Sequence, residues 1–352
     1  AGRDRAPGPV DRPSVGLMLP EGPAVLELRH AVRSWSVQRT RAVPAATSMA
    51  ATPIAVALSG GADSLALTAA AVAEFPEVVA LVVDHGLQPG SEDVAATAAR
   101  RAVMLGCIDA TVTTVHVGGD GGMEAAARRA RYAALETARG DAAVLIAHTL
   151  DDQAETVLLG LARGSGPRSI AGMMPWDSPW GRPLLGVRRA VTRQACAELG
   201  FDPYEDPQNV SADFTRVRLR HEVLPLLEDV LGGGVAQALG RTATQLREDG
   251  DVLDALADDL LGGALAGDDL DVTALIAVPV ALRRRVLRSW LLGAGATGLS
   301  DKQLRLIDDL VGDWRGQGGV AVGGGPPGAR LVVGRRRGTL ALELEWSLRN
   351  DS

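Results

Sequence analysis

The chain has 352 residues, 46% of them hydrophobic and 22% charged, which excludes a broadly disordered protein and suggests about two domains. With 43 acidic and 36 basic residues the net charge is −7, and this balance by itself disfavours a nucleic-acid partner. Lys302 is the only lysine, so 35 of the basic residues are arginines. The planar guanidinium group of arginine is suited to binding phosphates. A skewed genome composition is nevertheless the simpler explanation for most of these arginines.

The sequence also lacks the patterns of secreted and membrane proteins. No run approaches the ~18 apolar residues of a membrane span, and the first residues do not follow the pattern of a signal peptide. Cys107 and Cys196 lie far apart and form neither a CxxC pair nor a zinc pattern, so we expect both to be small core residues. These observations predict a cytoplasmic protein with no membrane partner.

Residues 1–48 contain scattered prolines and are predicted to be a tail or linker that is disordered in part. Within this stretch, the hydrophobic spacing from Ala24 to Arg39 predicts one amphipathic helix. The residues on its apolar face are Val25, Leu28, Val32 and Trp35.

Residues 49–228 are predicted to form an α/β domain, because strands alternate with helices of ten or more residues, as in βαβ units around a parallel sheet. The predicted strands are Ile54–Leu58, Val78–Val83, Ala110–Val117 and Ala143–Ala147. The predicted helices are Ser64–Glu74, Ser91–Leu105, Met123–Arg139 and Asp151–Arg163. The continuous apolar strands imply a sheet that is covered on both faces.

Residues 229–352 are predicted to form a smaller, mainly helical domain with a small β element. Glycines interrupt the chain near residue 233, and the hydrophobic spacing after them is helical. The predicted helices are Val235–Leu261, Ala281–Leu292 and Asp301–Trp314, and the β-like runs are Arg330–Val333 and Thr339–Leu344.

A loop of six residues between the first strand and the first helix of the α/β domain carries the strongest functional pattern. It reads Ser59-Gly60-Gly61-Ala62-Asp63-Ser64. The glycines let the backbone approach a ligand closely, and the turn amides and the helix N-terminus attract an anion. Asp63 would repel a bare phosphate and so implies a bridging metal ion. The loop lacks the lysine of GxxxxGK[ST], and for the Gly-Gly pair alone an ordinary glycine-rich turn is an equally good explanation.

A second candidate group follows the fourth strand, where His148 precedes Asp151, Asp152 and Glu155 at the start of a helix. The spacing places the acids on one helix face, at the edge of the sheet where ligands of such folds bind. Acids in the first turn also simply complement the helix dipole, an explanation that has some weight for Asp151. It does not account for His148 beside them.

The six-residue loop resembles that of the PP-loop ATP pyrophosphatases, and the motifs after it are similar to those of the tRNA(Ile)-lysidine synthetase family. The matching segments are Val83–Leu87, Ala147–Thr156, Arg163–Gly166, Ile170–Met173, Arg182–Leu185, Glu205–Asn209 and Arg216–His221. The similarity is specific over residues 54–228 and looser up to residue 334. It implies a parallel-sheet PP-loop α/β domain followed by a tRNA-binding domain.

The resemblance further implies a carbon–nitrogen ligase that uses ATP and Mg²⁺ to join L-lysine to the wobble cytidine of tRNA(Ile) with a CAU anticodon. It implies that the loop Ser59–Ser64 binds ATP and that Asp63 and Asp152 hold Mg²⁺. It assigns catalytic roles to Asp63, His148, Asp152, Glu155 and Arg218, without saying which group is the general base. Because members of the family are often dimers, it also suggests a homodimer.

Several arginines are candidates for contact with phosphate. Arg216, Arg218 and Arg220 alternate and would share one face of an extended segment, and they match a family motif. We therefore expect at least one of them to reach a phosphate of ATP or tRNA. The candidates for tRNA contact are Arg128, Arg216, Arg220, Arg283 and Arg284. For Arg283 and Arg284 a solvated helix surface is an equally good explanation.

Two other classes of function remain as alternatives. The chain could be an ATP-dependent ligase acting on a small metabolite, which would have no need of an arginine-bearing second domain. It could also be a nucleotide-binding or tRNA-binding module without catalysis, which the intact loop and the acids after the fourth strand argue against. Thiolation of tRNA is disfavoured because the two cysteines do not form a CxxC pair.

Overall fold

The computed structural model describes residues 22–42, 53–86, 88–116, 118, 123–164, 166–207 and 214–346. They separate into two compact units. The first consists of the described parts of Ala1–Leu159 and Gly172–Arg241, and the second of those of Gly160–Ala171 and Thr242–Ser352. No helix within these ranges is long and apolar enough to cross a membrane.

The described helices and strands follow in chain order. The helices are α1 (Pro23–Ala42), α2 (Ala62–Glu74), α3 (Ser91–Leu105), α4 (Met123–Ala138), α5 (Leu150–Arg163), α6 (Pro167–Ile170), α7 (Arg189–Glu198), α8 (Thr215–Arg218), a π-helical turn (Leu219–Val223), α9 (Leu224–Val230), α10 (Val235–Ala264), α11 (Val272–Leu275), α12 (Val280–Gly293) and α13 (Asp301–Gly312). The strands are β1 (Ile54–Ala57), β2 (Val78–Asp84), β3 (Asp109–Thr114), β4 (Ala143–Leu145), β5 (Trp176–Asp177), β6 (Trp180–Gly181), β7 (Leu265–Ala266), β8 (Asp269–Asp271), β9 (Val320–Val322), β10 (Ala329–Arg336) and β11 (Thr339–Trp346).

The first unit is built around a six-stranded sheet with the order β3-β2-β1-β4-β6-β5. Its strands are parallel except β5, which pairs antiparallel with β6. Strand β1 lies in the middle, with Ile54 opposite Val78 of β2 and Ala143 of β4. The four predicted strands and the parallel α/β class are confirmed, whereas β5, β6 and helix α7 were not predicted.

Both faces of this sheet are covered at β1, β2 and β4, as the apolar strands predicted, whereas β3 is largely exposed. Successive side chains of a strand point to opposite faces, so Ile54 and Val56 lie in a core with Leu65 of α2, while Ala55 packs with Leu135 of α4. Because both faces are buried, the polar groups that a ligand needs can lie only at the edges of the sheet. The loops after β1 and β4 emerge at the carboxyl edge, where both candidate groups are found.

Helix α1 confirms the predicted amphipathic helix. Its four predicted apolar residues are 0–4% exposed and belong to the same core as α2 and α7. Glu74, the last residue of α2, binds Arg29 at 2.9 Å and Arg33 at 2.8 Å, which fixes α1 against α2. Residues 23–42, part of the stretch expected to be a tail or linker, are thus packed into the first unit because they bury an apolar face.

The packing of α1 predicts a measurable loss of stability. Replacing Leu28, which is 1% exposed, by alanine should lower the free energy of unfolding by about 2–5 kcal/mol, because the change leaves a cavity. Leu26 on the same helix is 45% exposed, and Leu26→Ala should change it by less than about 0.5 kcal/mol. Urea unfolding of both variants measures the difference, and equal effects would show that α1 does not pack as described.

The second unit contains a five-stranded antiparallel sheet with the order β7-β8-β11-β10-β9. Its apolar face packs against α12 and α13, where Leu287 and Ile307 share a core with Val333 and Leu340. Helix α13 begins with a capping box between Ser300 and Gln303. The predicted helices and the two β-like runs are confirmed, and the β element is completed by three short strands that were not predicted.

Candidate active site

The predicted phosphate loop connects β1 to α2, which begins at Ala62. Gly60 has a φ of +85°, a conformation that favours glycine. The hydroxyls of Ser59 and Ser64 lie 3.1 Å apart, and Ser64 Oγ donates a hydrogen bond to Gly61 O at 3.0 Å. The serines therefore close the loop on itself. Since the first amides of a helix have no intrahelical acceptor, the loop presents donors to an anionic group.

Asp63 lies in the first turn of α2 and is held by two residues of α7. Thr192 Oγ1 donates a hydrogen bond to Asp63 Oδ1, and Arg189 Nε lies 3.4 Å from Asp63 Oδ2. Burial raises the pKa of the Asp63 carboxyl above its ordinary value, and Arg189 and Thr192 oppose that rise. The carboxylate is thus fixed beside the phosphate loop.

Asp152 lies where β4 leads into α5, and its two oxygens have different partners. The amide and the hydroxyl of Thr149 donate to Oδ2 at 2.8 and 2.7 Å, an arrangement that stabilises the start of α5. The other oxygen, Oδ1, lies 2.6 Å from Arg189 Nη2 and 3.3 Å from Arg220 Nη2. Although burial opposes it, Arg189 and Thr149 lower the pKa of Asp152. Asp63 and Asp152 therefore share one guanidinium group.

Glu155 is completely buried and is bound by Arg220. Arg220 Nε lies 2.8 Å from Oε1 and Nη2 lies 3.3 Å from Oε2, while Arg189 Nη1 is 3.5 Å from Oε1. A buried carboxylate requires such pairing, because an isolated charge is strongly disfavoured away from water. One continuous set of contacts, which we call the acid–arginine network, therefore connects Asp63, Arg189, Asp152, Arg220 and Glu155.

Asp151 lies outside this network and anchors α7 instead. Its Oδ2 accepts a hydrogen bond from the backbone amide of Arg189 at 2.8 Å, and its Oδ1 lies 3.1 Å from Arg188 Nη2. Asp151 thus does more than complement the dipole of its own helix. It fixes the first turn of α7, and with it the side chain of Arg189.

Residues 216–220 are helical rather than extended, so the prediction that their alternate arginines share one face is wrong. Alternate residues of a helix point in nearly opposite directions. Arg218, predicted to be catalytic, pairs with Glu222 at 2.9 Å on the surface. Arg220, predicted as a contact for a phosphate of ATP or tRNA, lies in the network. Arg216 is partly exposed next to Val217, which packs into the unit.

His148 precedes Thr149 at the same edge of the sheet. Its Nδ1 is buried and has no hydrogen-bond partner among the described residues. Burial lowers the pKa of His148 to about 3; Asp152 opposes this shift, whereas Arg182 and Arg131 add to it. The imidazole is therefore uncharged at neutral pH.

This lowered pKa predicts how His148 responds to acid. An unfolded histidine takes up a proton near pH 6.5, whereas the folded one takes it up near pH 3, so the contribution of this group to stability is complete above about pH 6.5 and is lost as the pH falls towards 3. The NMR signal of the His148 ring, assigned by its loss in His148→Gln, should not shift between about pH 8 and pH 5. A titration midpoint near 6.5 would contradict the buried, uncharged imidazole.

Arg128 lies on the exposed side of α4, outside the network. Its guanidinium carbon is 4.9 Å from the centre of the Tyr132 ring, and its Nη2 donates to the Tyr132 hydroxyl at 3.3 Å. The ring of Tyr132 in turn packs edge-on against Trp180 at 4.9 Å. Aromatic packing thus holds this arginine in place while its group stays accessible.

Arg283 and Arg284, in the second unit, both bind Asp308, which is 3% exposed. Arg283 Nε lies 2.5 Å from Asp308 Oδ1 and Arg284 Nε lies 2.9 Å from Oδ2. These pairs join α12 to α13. The two arginines therefore contribute to the structure of the second unit, where the single carboxylate offsets one of their two positive charges.

The two cysteines are buried core residues, as predicted. Cys107 and Cys196 are free thiols in the core of the first unit. Burial raises the pKa of Cys107 to about 12 and that of Cys196 to about 11. Since the thiolate is the reactive form, neither is suited to sulfur chemistry.

The sequence prediction missed Arg189 and Thr192 of α7 and Arg188, which directly precedes this helix. The strand–helix pattern does not predict this helix. One pattern could have indicated them: two adjacent arginines begin the helix, where positive charges oppose its dipole. Such a placement requires nearby acids, which here are Asp63, Asp151 and Asp152.

The fold and the loop define a PP-loop protein. Residues 35–227 match the family model described as the PP-loop domain, and residues 270–341 match the model described as the TilS substrate binding domain. Among solved structures, the chain resembles the U34-tRNA thiolase NcsA from Methanococcus maripaludis, which was solved with its [4Fe-4S] cluster. The TM-score is 0.50 and the sequence identity is 18%, and the match covers 64% of this chain and 80% of the thiolase chain. This likeness supports the fold alone.

Closer relatives identify the family. The chain is 62% identical over 332 residues to the tRNA(Ile)-lysidine synthase of Rhodococcus erythropolis, covering 94% of this chain and 98% of that protein. It is 66% identical to that of Nocardia farcinica, covering 90% and 97%, and 64% identical to that of Mycobacterium tuberculosis, covering 82% and 90%. The chain belongs to the tRNA(Ile)-lysidine synthase family.

Proposed function

We propose that this chain joins L-lysine to the wobble cytidine of tRNA(Ile) with a CAU anticodon, consuming ATP and releasing AMP and pyrophosphate. The product would read AUA instead of AUG and accept isoleucine instead of methionine. The observation that carries the proposal is the acid–arginine network, which connects Asp63 of the phosphate loop to Asp152 and Glu155 of α5. A nucleotide at the loop and an amine at these acids would lie side by side. Membership of the family supports the same reaction.

The charge of the network supports an amine as the second substrate. With the carboxyl groups ionised, three carboxylates face two guanidinium groups, so one negative charge is left over within the network. In a partly buried site such an imbalance favours a cation. The ammonium group of lysine has the charge and the hydrogen-bond donors to fill this place.

The proposed reaction has two steps. The ring carbonyl oxygen of cytidine attacks the α-phosphate of ATP and pyrophosphate leaves; the lysine ε-amine then displaces AMP from the ring. The amine must lose a proton before it attacks. Asp152, whose pKa is lowered, is better suited to binding a cation than to accepting a proton. By the same reasoning His148, whose pKa is lowered to about 3, is a poor proton acceptor at neutral pH, which leaves Glu155 as the candidate base.

We further propose that Mg²⁺ binds between the loop and α5. Mg²⁺ prefers hard oxygen ligands and is often held by one or two carboxylates together with substrate phosphates. Asp63 and Asp152 offer such oxygens on either side of one guanidinium group, so the donor set fits. Bound Mg²⁺ would offset the negative charge of the phosphates.

We propose that tRNA binding uses accessible arginines, including Arg128, on a chain whose net charge is negative. Phosphate contacts release counterions, so the affinity for tRNA should fall steeply as salt is added. Arg128→Gln should lower the slope of log affinity against log salt by about one. Arg305→Gln, at a surface pair with Asp301, should leave the slope unchanged. An affinity that does not depend on salt would contradict these contacts.

The direct test is transfer of labelled lysine to tRNA. Purified protein should incorporate lysine into a transcript of tRNA(Ile) with the CAU anticodon only when ATP and Mg²⁺ are present, and should discriminate against the corresponding methionine tRNA. Release of pyrophosphate measured in parallel reports the first step separately. Absence of incorporation into the cognate transcript would overturn the proposal, and pyrophosphate release that needs no RNA would instead indicate a ligase for a small metabolite.

A further inference from the structure

Arg189 occupies an unfavourable position for a cation. It is the first residue of α7, where the unpaired amides of the helix already carry partial positive charge. Its side chain is 17% exposed, so the guanidinium has also lost most of its water. Burial alone would lower the pKa of Arg189, but Asp152 and Asp63 more than offset this and raise it. The side chain is therefore held at this position by the carboxylates that it contacts.

The carboxylates that it contacts are the two proposed to hold Mg²⁺, and both oxygens of each already have a donor. Asp63 Oδ1 accepts from Thr192 and Oδ2 lies 3.4 Å from Arg189 Nε. Asp152 Oδ2 accepts from Thr149, and Oδ1 lies 2.6 Å from Arg189 Nη2. A divalent cation ligated by both carboxylates would need the Oδ atoms that face Arg189. The cation would then lie next to the positive guanidinium, and the repulsion between the two charges disfavours their binding to these oxygens together.

We propose that Arg189 is a positioning residue that acts as an internal counter-ion: in the nucleotide-free protein it occupies the carboxylates of Asp63 and Asp152, and it must withdraw before a divalent cation binds there. The inference rests on the proposed function, because it concerns the cation of that reaction. It goes further in stating that the chain itself competes with the metal ion.

The contacts also indicate what would release Arg189. Asp63 belongs to both the phosphate loop and the network, so phosphates at the loop would bring negative charge close to the guanidinium. Guanidinium groups bind phosphate through paired hydrogen bonds, which offers Arg189 a new partner as it leaves the carboxylates. Asp152 retains Arg220 and Thr149 when Arg189 moves, so the site keeps its shape. Metal and nucleotide should therefore bind cooperatively.

The test measures binding of Mn²⁺ alone, without ATP, to the full chain by electron paramagnetic resonance. Removal of a cation that contacts both carboxylates should strengthen Mn²⁺ binding, so Arg189→Gln should bind Mn²⁺ at least about tenfold more tightly than the unchanged protein. Arg193→Gln is the matched control, since Arg193 lies one turn further along α7 and pairs with Glu205 at 2.7 Å. Its Mn²⁺ affinity should equal that of the unchanged protein.

The result that overturns the inference is an affinity of Arg189→Gln that is equal to or weaker than that of the control, because a purely structural arginine would only hold the ligands in place. Adding Asp63→Asn to Arg189→Gln should abolish the gain, and a gain that persists would place the ion elsewhere and also overturn it. If Arg189→Gln does not fold, Arg189→Lys decides. Arg189 contacts the two carboxylates through different nitrogen atoms, and a lysine has only one, so it should hold them less well and Mn²⁺ binding should tighten by about threefold. No change counts against the inference.

Failure of this inference can be told apart from failure of the proposed function. Lysine transfer to tRNA by the unchanged protein tests the function and does not depend on what Arg189 does before ATP binds. If the unchanged protein transfers lysine but Arg189→Gln binds Mn²⁺ no more tightly than the unchanged protein, only the inference about Arg189 is overturned. If the unchanged protein does not transfer lysine but Arg189→Gln binds Mn²⁺ more tightly, only the proposed substrate is overturned.

Discussion

Replacing Asp63 by asparagine should lower ATP-dependent lysine transfer by about 100- to 1000-fold, while the protein remains folded. The asparagine would keep the size of the side chain and could still accept a hydrogen bond from Thr192. It would lack the negative charge that faces Arg189 and that we propose binds Mg²⁺. The loss should appear already in pyrophosphate release, because Asp63 lies beside the phosphate loop and so acts in the first step.

The control for this prediction is Asp141→Asn, which removes an exposed carboxylate of the same unit and should leave lysine transfer within about twofold. Circular dichroism and the melting temperature show whether Asp63→Asn folds. Normal pyrophosphate release in Asp63→Asn, with only lysine transfer reduced, would contradict a role at the phosphates. It would move the function of Asp63 to the amine side of the network.

Arg220→Gln should reduce lysine transfer by about 100-fold at low lysine concentration, whereas Arg218→Gln should change it by less than about twofold. The two positions are two residues apart, yet Arg220 binds the buried Glu155 and Arg218 binds Glu222 on the surface. The prediction thus separates the arginine that the sequence favoured as catalytic from the one that the structure places in the network.

Stability should follow the same order. Arg220→Gln leaves Glu155 with only the 3.5 Å contact to Arg189, and an undercompensated buried carboxylate should lower the free energy of unfolding by about 3 kcal/mol. Transfer rates must therefore be compared at a temperature where both variants are folded. Arg220→Lys keeps the positive charge but lacks the planar guanidinium group that binds both oxygens of a carboxylate, so it should recover only part of the activity. Equal losses in Arg218→Gln and Arg220→Gln would disprove the distinction.

Local features of the chain were predictable because they depend on neighbours in sequence. The short apolar strands, the helices between them and the glycine turn at Gly60 follow from hydrophobic period and backbone conformation. The carboxyl edge of a parallel sheet then places Asp63 and the acids of α5 on the same side. The buried state of Cys107 and Cys196 was likewise predictable from their isolation and the absence of a paired motif.

Contacts between distant segments were not predictable in the same way. The alternating arginines of residues 216–220 predict an extended segment, but the segment is helical and buries Val217 and, one element later, Leu224. Helix α7 was missed altogether, since the strand before it, β6, has only two residues and gives little periodicity. Arg283 and Arg284 of α12 likewise pair with Asp308 of α13. The packing of these two helices against each other cannot be predicted from residues that are neighbours in sequence.

The sequence by itself determined the α/β class, the glycine-rich loop after β1, the acids after β4 and the family, because each of these depends on residues that lie close together along the chain. Only the tertiary structure decided which arginines meet those acids. Arg189 and Arg220 reach Asp152 from segments 37 and 68 residues away. A buried charge pairs with whichever opposite charge the folded unit brings next to it, because water is excluded there. This packing exists only once the whole unit has folded.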